Sequence, residues 1–149
     1  MKATQTNQPM YNRQIVWESN RMKIFFYPEE KMFEISLLHY FEETELFKKD
    51  LEHFLKVLHQ WKPTKNIWDM RAFQIVLDNS LQAWIDEHIN RFEVAAGVIA
   101  EAFVINPNDL ITELGVEQVM SEEYGNQIVT RMFSNKEQAF VWLKNFSKA

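Results

Sequence analysis

Asp69 and Arg71, separated by one residue in Trp68-Asp69-Met70-Arg71, are the pair in this chain best suited to chemistry. A carboxylate in such a place can bind a cation, accept a proton or anchor a loop, and an arginine beside it can hold a carboxylate or phosphate through two parallel hydrogen bonds. The short apolar run from Asn66 to Trp68 that precedes them reads as a strand. The pair would then stand at a strand's carboxyl end, where open α/β sheets present their ligand-contacting groups. The simpler alternative is an ion pair that ties down a loop. A phosphoacceptor role for Asp69 would need two further acids at the end of the first strand to hold magnesium, and Glu29 and Glu30 fall instead in a turn.

Other reactive residue types are present without the spacing that chemistry needs. His53 and His59 lie six residues apart on a helical stretch, which places them on different faces rather than stacked as an i, i+4 metal pair. His88 is expected on the buried side of a second helix and His39 near the end of a hairpin, both as hydrogen-bonded boundary residues. No serine sits in a nucleophile elbow. Gly97, Gly115 and Gly125 are scattered and build no phosphate cradle. Asp78-Asn79-Ser80 offers three capping residues in succession at a helix start. Trp17, Trp61, Trp68, Trp84 and Trp142 could line a pocket between helices, although aromatic residues at helical spacing are more economically read as core or subunit interface.

Composition narrows the field further. A chain of 149 residues falls in the range of one domain, about 100–200 residues. With 46% hydrophobic residues it has ample apolar surface for a core. A net charge of −5 without a basic patch gives no electrostatic reason to approach nucleic acid or anionic lipid. The absence of cysteine excludes disulfides, thiolate catalysis and Cys-ligated metal, and fits a reducing compartment. The start of the chain lacks an apolar signal region and no run is long enough to span a bilayer, so a cytoplasmic address is expected.

The elements that would position these residues follow from periodicity. Residues 1–12 are polar and read as a disordered tail, with the fold beginning near Arg13. Met22, Ile24 and Phe26, then Phe33, Ile35 and Leu37 onward to Tyr40, alternate on either side of Pro28-Glu29-Glu30-Lys31 and predict a hairpin. Phe47, Leu51, Phe54, Leu55 and Leu58 predict a helix capped by Thr44 and stopped before Pro63. A strand over Lys65 to Met70 follows, then a helix burying Leu81, Trp84, Ile85, His88, Ile89 and Phe92 and ending at Gly97. The nearly continuous apolar run from Val98 to Ile105 predicts a strand covered on both faces. After it come a short helix with Ile111, Leu114 and Met120 inward, a strand over Ile128 to Phe133, and a last helix with Phe140, Leu143 and Phe146 inward and Ser134 and Glu137 spaced as a capping box. The order is β-β-α-β-α-β-α-β-α: an α/β mixed sheet with an N-terminal antiparallel hairpin, then parallel strands, and about four helices, all in one domain over residues 13–149.

This pattern, with Trp61-Lys62-Pro63, Trp68-Asp69-Met70-Arg71, Trp84-Ile85-Asp86-Glu87, Ala96-Gly97, and Phe133-Ser134-Asn135-Lys136-Glu137-Gln138-Ala139 followed by Trp142-Leu143, resembles the SpoIIAA-like bacterial proteins of STAS/SEC14 type over residues 15–146. The resemblance implies that fold, and a relation to regulators that bind a partner kinase and are switched by phosphorylation of a serine opening a helix. Asp78-Asn79-Ser80-Leu81 looks like the Asp-Ser-Ser-Gly segment of those regulators, with Ser80 at the phosphorylated place and Leu81 where they have glycine. A phosphate there would add about −2 charge at a helix N-terminus that tolerates it. Capping alone also accounts for these residues.

The expected role is accordingly a non-catalytic regulatory or protein-interaction domain. Its partner would be a protein, with homodimerisation through surplus aromatic surface, and with no cofactor, metal, nucleic acid or membrane. Contacts to ligand or partner are assigned to Asp69, Arg71, Asp78 and Trp84, and Ser80 is the candidate phosphorylation site or cap. A carrier or sensor of a small apolar ligand, in a cavity bordered by Trp84 and Phe92, is the second reading. An enzyme using Asp69 and Arg71 is the third, and it requires Asp69 in a cleft with a perturbed pKa.

Overall fold

The two-residue alternation of Met22, Ile24 and Phe26 against Phe33, Ile35 and Leu37 produces an antiparallel pair, β2 (Met22–Tyr27) and β3 (Met32–Leu37), which sets Phe26 opposite Phe33 and Ile24 opposite Ile35. The computed structural model describes residues 12–38 and 43–147, so most of the proposed N-terminal tail and the His39 and Tyr40 positions lie outside the described residues. A strand that the periodicity did not predict, β1 (Gln14–Glu18), pairs antiparallel with β2. A bulge between Ile15 and Trp17 and exposure at an edge erase its alternation, which is why no half-buried strand could be read there. Helix α1 (Thr44–Trp61) leads to β4 (Lys65–Asp69), and β5 (Ala100–Val104) and β6 (Val129–Phe133) complete the sheet. Strand order is sequential, β1-β2-β3-β4-β5-β6, and the pairs from β3 to β6 are parallel.

Helix α2 covers Asn79–Ile85, Asp86–Asn90 and Arg91–Ala96 without a break, α3 covers Leu110–Met120 and α4 covers Lys136–Asn145. The fold class is therefore the one expected: a mixed α/β sheet, antiparallel at its N-terminal side and parallel beyond, with four helices among the described residues. Crossovers of one hand between parallel strands laid down in sequential order place every connecting helix on the same face. Thus α1, α2 and α3 pack over Phe33, Ile35, Trp68 and Phe103 in the larger core, whereas α4, which follows the last strand, covers the other face. There Ala100 and Ala102 let it approach closely enough to bury Ala139, Phe140 and Leu143. Each large apolar side chain so buried, such as Phe54 at 0% exposure, stabilises the fold by roughly 1.5–3 kcal/mol. Among the described residues no helix is long and apolar enough to cross a membrane.

Several element ends differ from their sequence reading. Thr44 is the first residue of α1 rather than its cap, and Glu43 precedes it without a side-chain cap bond. Of the three capping residues offered at the start of α2, Asp78 is the one that caps, accepting from the Leu81 amide at 2.9 Å, and Ser80 lies within the first turn. Asn135 caps α4 through the Gln138 amide, so the Ser134–Glu137 box does not form. In α3, Ile111 and Leu114 are 68% and 55% exposed, because Thr112, Gly115, Val116 and Val119 form the inward face. Gly115 lies so close to Leu77 that a Cβ there would stand 2.9 Å from the Leu77 Cβ, which fixes the side of α3 that docks.

The largest departure lies in α2. A π-turn at Asp86–Asn90 inserts one extra residue into the helical period. Within and beyond it, His88 and Phe92 face the surface, Phe92 being 41% exposed, and Asp86, Asn90 and Glu93 face inward. The inward residues are all partnered. Asp86 accepts from the amides of Tyr124 (3.0 Å) and Gly125 (2.8 Å) and from Asn90 Nδ2 (3.0 Å), pinning the α3–β6 loop. A side chain at Gly125 would meet the Val119 carbonyl at 2.5 Å, so only glycine permits that approach. Glu93 meets Glu101 of β5 in a carboxyl–carboxyl hydrogen bond. Asn66 Nδ2 donates to both, at 2.8 and 3.0 Å, and Trp68 Nε1 donates to Glu101 at 2.9 Å. Burial first, and the Glu101 charge next, hold the Glu93 carboxyl protonated well above the ordinary carboxylic range.

Replacing Asp86 by Ala leaves two loop amides without their acceptor, and unfolding by urea should show a loss of roughly 2–4 kcal/mol. Glu93→Gln should act in the opposite direction. The raised folded pKa of Glu93 means that its stabilising share is complete below the unfolded value, about 4.3, and is lost as pH rises toward the folded value. Urea titrations from pH 4 to pH 8 should therefore show the variant gaining on the wild type as pH rises; parallel curves would contradict a protonated Glu93.

Candidate functional site

Glu34, in the middle of β3, points to the α4 face and is 1% exposed. A buried carboxylate must be paired and hydrogen-bonded to persist, and three donors converge on it. Tyr27 Oη donates at 2.6 Å, Arg13 Nη1 at 3.0 Å and Lys136 Nζ at 2.7 Å. Arg13 reaches it by lying across the Phe25 ring, 3.8 Å from its centroid. Lys136 is the first residue of α4, placed by the Asn135 cap, and its ammonium also stands 3.6 Å from Asp69. The far end of α4 is held the same way, Lys65 donating to the carbonyls of Leu143 (2.6 Å) and Phe146 (2.8 Å).

Asp69 closes β4 in register with Ser36 of β3. Arg71 folds back onto it in a bidentate pair, Nε to Oδ1 at 2.9 Å and Nη2 to Oδ2 at 2.8 Å. Asn106, just beyond β5, donates to the Arg71 carbonyl at 2.7 Å and so holds the loop carrying that arginine. Ser36, Leu38, Asp69, Arg71 and Asn106 line an open cleft of about 410 Å³ at the carboxyl ends of β3 to β5.

Burial works to raise the Asp69 pKa, but the hydrogen bonds and charge of Arg71, with a smaller contribution from Lys136, outweigh it and hold the carboxyl below its ordinary value. Asp69 is thus an ionised anchor, not a general base. Its carboxylate in turn raises the Arg71 pKa against the effect of burial. Burial, followed by the Glu34 charge, pushes the Tyr27 hydroxyl far above its usual range, so Tyr27 acts only as a donor. The cluster sets three cations, Arg13, Arg71 and Lys136, against two carboxylates, Glu34 and Asp69, leaving one positive charge uncompensated. Among the described residues no group of three or more His, Asp or Glu side chains is placed to hold a metal ion.

Of the residues singled out by sequence, the structure brings Asp69 and Arg71 together and sets them in a cleft. Ser80, Asp78 and Trp84 do not line it. Ser80 is exposed in the first turn of α2, Asp78 is that helix's cap, and Trp84 stacks on His88 with Lys48 5.2 Å from its ring centroid. Phe92, expected to border a cavity with Trp84, lies on the surface beyond the π-turn. Sequence reasoning missed Glu34, Lys136, Arg13 and Tyr27. Glu34 alternates with Phe33 and Ile35 as a solvent-facing strand residue would, and only the covering of the second face makes it buried.

No family model matches this chain, and no curated protein matches it. Among solved structures it is similar to the nuclease MPE of Pseudomonas putida, with a TM-score of 0.46 and 10% sequence identity over 81% of this chain. The match takes in 60% of the nuclease chain, so this protein spans less than two thirds of that neighbour's length. The resemblance to SpoIIAA-like proteins of STAS type is corrected by these findings, since no such family model matches. The non-catalytic regulatory role and the assignment as a non-enzyme, which rested on that resemblance, fall with it. At this TM-score the likeness carries neither a reaction nor a substrate to the present chain.

Asp69→Asn should weaken the Arg71 pair and destabilise the protein by roughly 1–3 kcal/mol at pH 7. Because the folded pKa of Asp69 is depressed, its share of stability is present above the unfolded value, about 3.9, and disappears as pH falls through the folded one. Acid titration followed by circular dichroism should accordingly show the wild-type advantage vanish at low pH, and an advantage that persists unchanged at pH 2 would refute the ion-pair assignment.

Proposed function

We propose that the cleft at the carboxyl ends of β3, β4 and β5 binds a small molecule through a phosphate or carboxylate group, with Arg71 as its main contact and Lys136 supplying further positive charge. The reading is supported above all by the arrangement of Arg71. Its Nε and Nη2 are committed to Asp69, which fixes the plane of the guanidinium, while Nη1 has no partner among the described residues. A cation oriented in advance binds an oxyanion without first having to be ordered. The excess of one positive charge in the cluster favours such a ligand, and the Asn106 amide and Ser36 hydroxyl at the cleft wall offer neutral hydrogen bonds beside it.

Charge held in this way serves a reaction as well as retention. Fixed cations stabilise negative charge that develops on an oxygen of the bound group, and they do so without reorganising. The residues of the cluster supply binding and charge stabilisation; Asp69 and Glu34 hold the cations in place.

Titration of the protein with inorganic phosphate, followed by calorimetry and by amide chemical shifts, tests the reading. Binding should centre on residues 36, 71 and 106, weaken with added salt as screening requires, and fall at least tenfold in Arg71→Ala and several-fold in Lys136→Met. Shifts confined to other parts of the surface, or equal affinity in Arg71→Ala, would sink the proposal.

A further inference from the structure

Helix α3 carries an apolar face that no described residue covers. Of the eight large apolar side chains exposed among the described residues, four belong to this corner: Leu110, Ile111 and Leu114 on α3, and Val76 beside it. Val76 lies in the segment from Arg71 to Leu77, which runs along α3: Asn106 holds the Arg71 carbonyl at one end, and Leu77 lies against Gly115 at the other. Within that segment Phe73, Ile75 and Leu77 are buried, so Ala72, Gln74 and Val76 point outward. A second row, Glu113 and Glu117, runs beside Leu110 and Leu114 on the outer side of α3. Both rows have a spacing of four residues, a rise of about 6 Å. The two glutamates are exposed, and among the described residues neither forms an ion pair. Residues 92–130 contain no Lys, Arg or His, while Asp109, Glu122 and Glu123 add further acids at the two ends of α3.

Both features are unfavourable in the isolated chain. Contiguous exposed apolar side chains rimmed by polar ones mark interaction sites, and like charges four residues apart on a helix repel each other. One complementary surface answers both. We propose that α3 docks an amphipathic basic helix of a partner protein, whose apolar residues cover Leu110, Ile111, Leu114 and Val76 and whose Lys or Arg side chains pair with Glu113 and Glu117. A helix is the element that fits, because residues at i and i+4 reproduce both rows with the same rise. Charge decides against the other occupants. A second copy of this chain would bring the same acidic row and, from residues 92–130, no cation to meet it. An anionic membrane would be repelled by that row. The face is independent of the oxyanion cleft, since none of its residues lines that space.

The probe is a labelled synthetic peptide of about 15 residues, long enough to hold a helix, with leucine and lysine in adjacent i, i+4 rows; its twin carries glutamate in place of lysine. By fluorescence anisotropy the lysine peptide should bind the wild type at least tenfold more tightly than the twin, and added salt should weaken it by screening the pairs. Amide shifts should centre on residues 76, 110, 113, 114 and 117. The double variant Leu110→Ser, Leu114→Ser, changed only at exposed positions, should bind the lysine peptide at least tenfold more weakly. Glu113→Lys, Glu117→Lys should reverse the preference and take the glutamate twin, a result that a folding defect cannot produce. The inference is overturned if the two peptides bind the wild type alike, if the preference does not reverse, or if the shifts fall elsewhere. It is overturned equally if sedimentation shows a wild-type dimer that Leu110→Ser, Leu114→Ser dissociates, which assigns the face to a second copy, or if phosphatidylglycerol vesicles bind the wild type and not that variant, which assigns it to a membrane.

Discussion

Strands β3, β4 and β5 are covered on both faces, and most of what is distinctive in this protein follows from that burial. A sheet of this kind tolerates a polar side chain only where another part of the chain satisfies it. Four polar residues are nevertheless built into these strands: Glu34, Asn66, Asp69 and Glu101, all buried. Their period of two sends Glu34 and Asp69 to the α4 face and Asn66 and Glu101 to the α2 face. Each face therefore acquires one polar network inside an otherwise apolar layer. One opens at the strand ends as the Asp69–Arg71 cleft, and the other closes around the Glu93–Glu101 pair.

The partners that satisfy these residues are remote in sequence. Lys136 lies 102 positions from Glu34, and Glu101 lies 35 from Asn66. In α2 the π-turn supplies the partner on one face, and at the start of α4 the Asn135 cap supplies it on the other. Helix ends and helix irregularities, rather than regular turns, thus deliver the partners of these buried side chains. The same devices hold the scaffold, since Asp86 in the π-turn also anchors the loop before β6.

This explains why the short motifs were a poor guide to family. Trp61-Lys62-Pro63 is a helix stop, with Lys62 in the left-handed region at φ 55°, and Ala96-Gly97 is another, with Gly97 at φ 99°. Phe133 to Ala139 is a strand end followed by a cap. Such segments record where elements begin and end, and any α/β chain with the same order of elements needs similar ones. The physical requirement is shared by unrelated proteins, so it marks architecture and not descent.

Periodicity alone determined the α/β class, the hairpin, the parallel strands and the four helices, because alternation over two residues and recurrence over 3.6 are local consequences of which side of an element meets the core. It also located Asp69 and Arg71, since a strand end is a local feature. What only the tertiary structure decided is which polar side chains are buried and against what. Glu34 reads as a surface residue until α4 covers it, Glu93 as a helix surface charge until the π-turn rotates it inward, and Ile111 and Leu114 as core until Thr112, Gly115 and Val116 take their place against α2. One inserted helical residue or one covered sheet face changes the environment of a side chain without changing its neighbours in sequence, and the chemistry of a site depends on that environment.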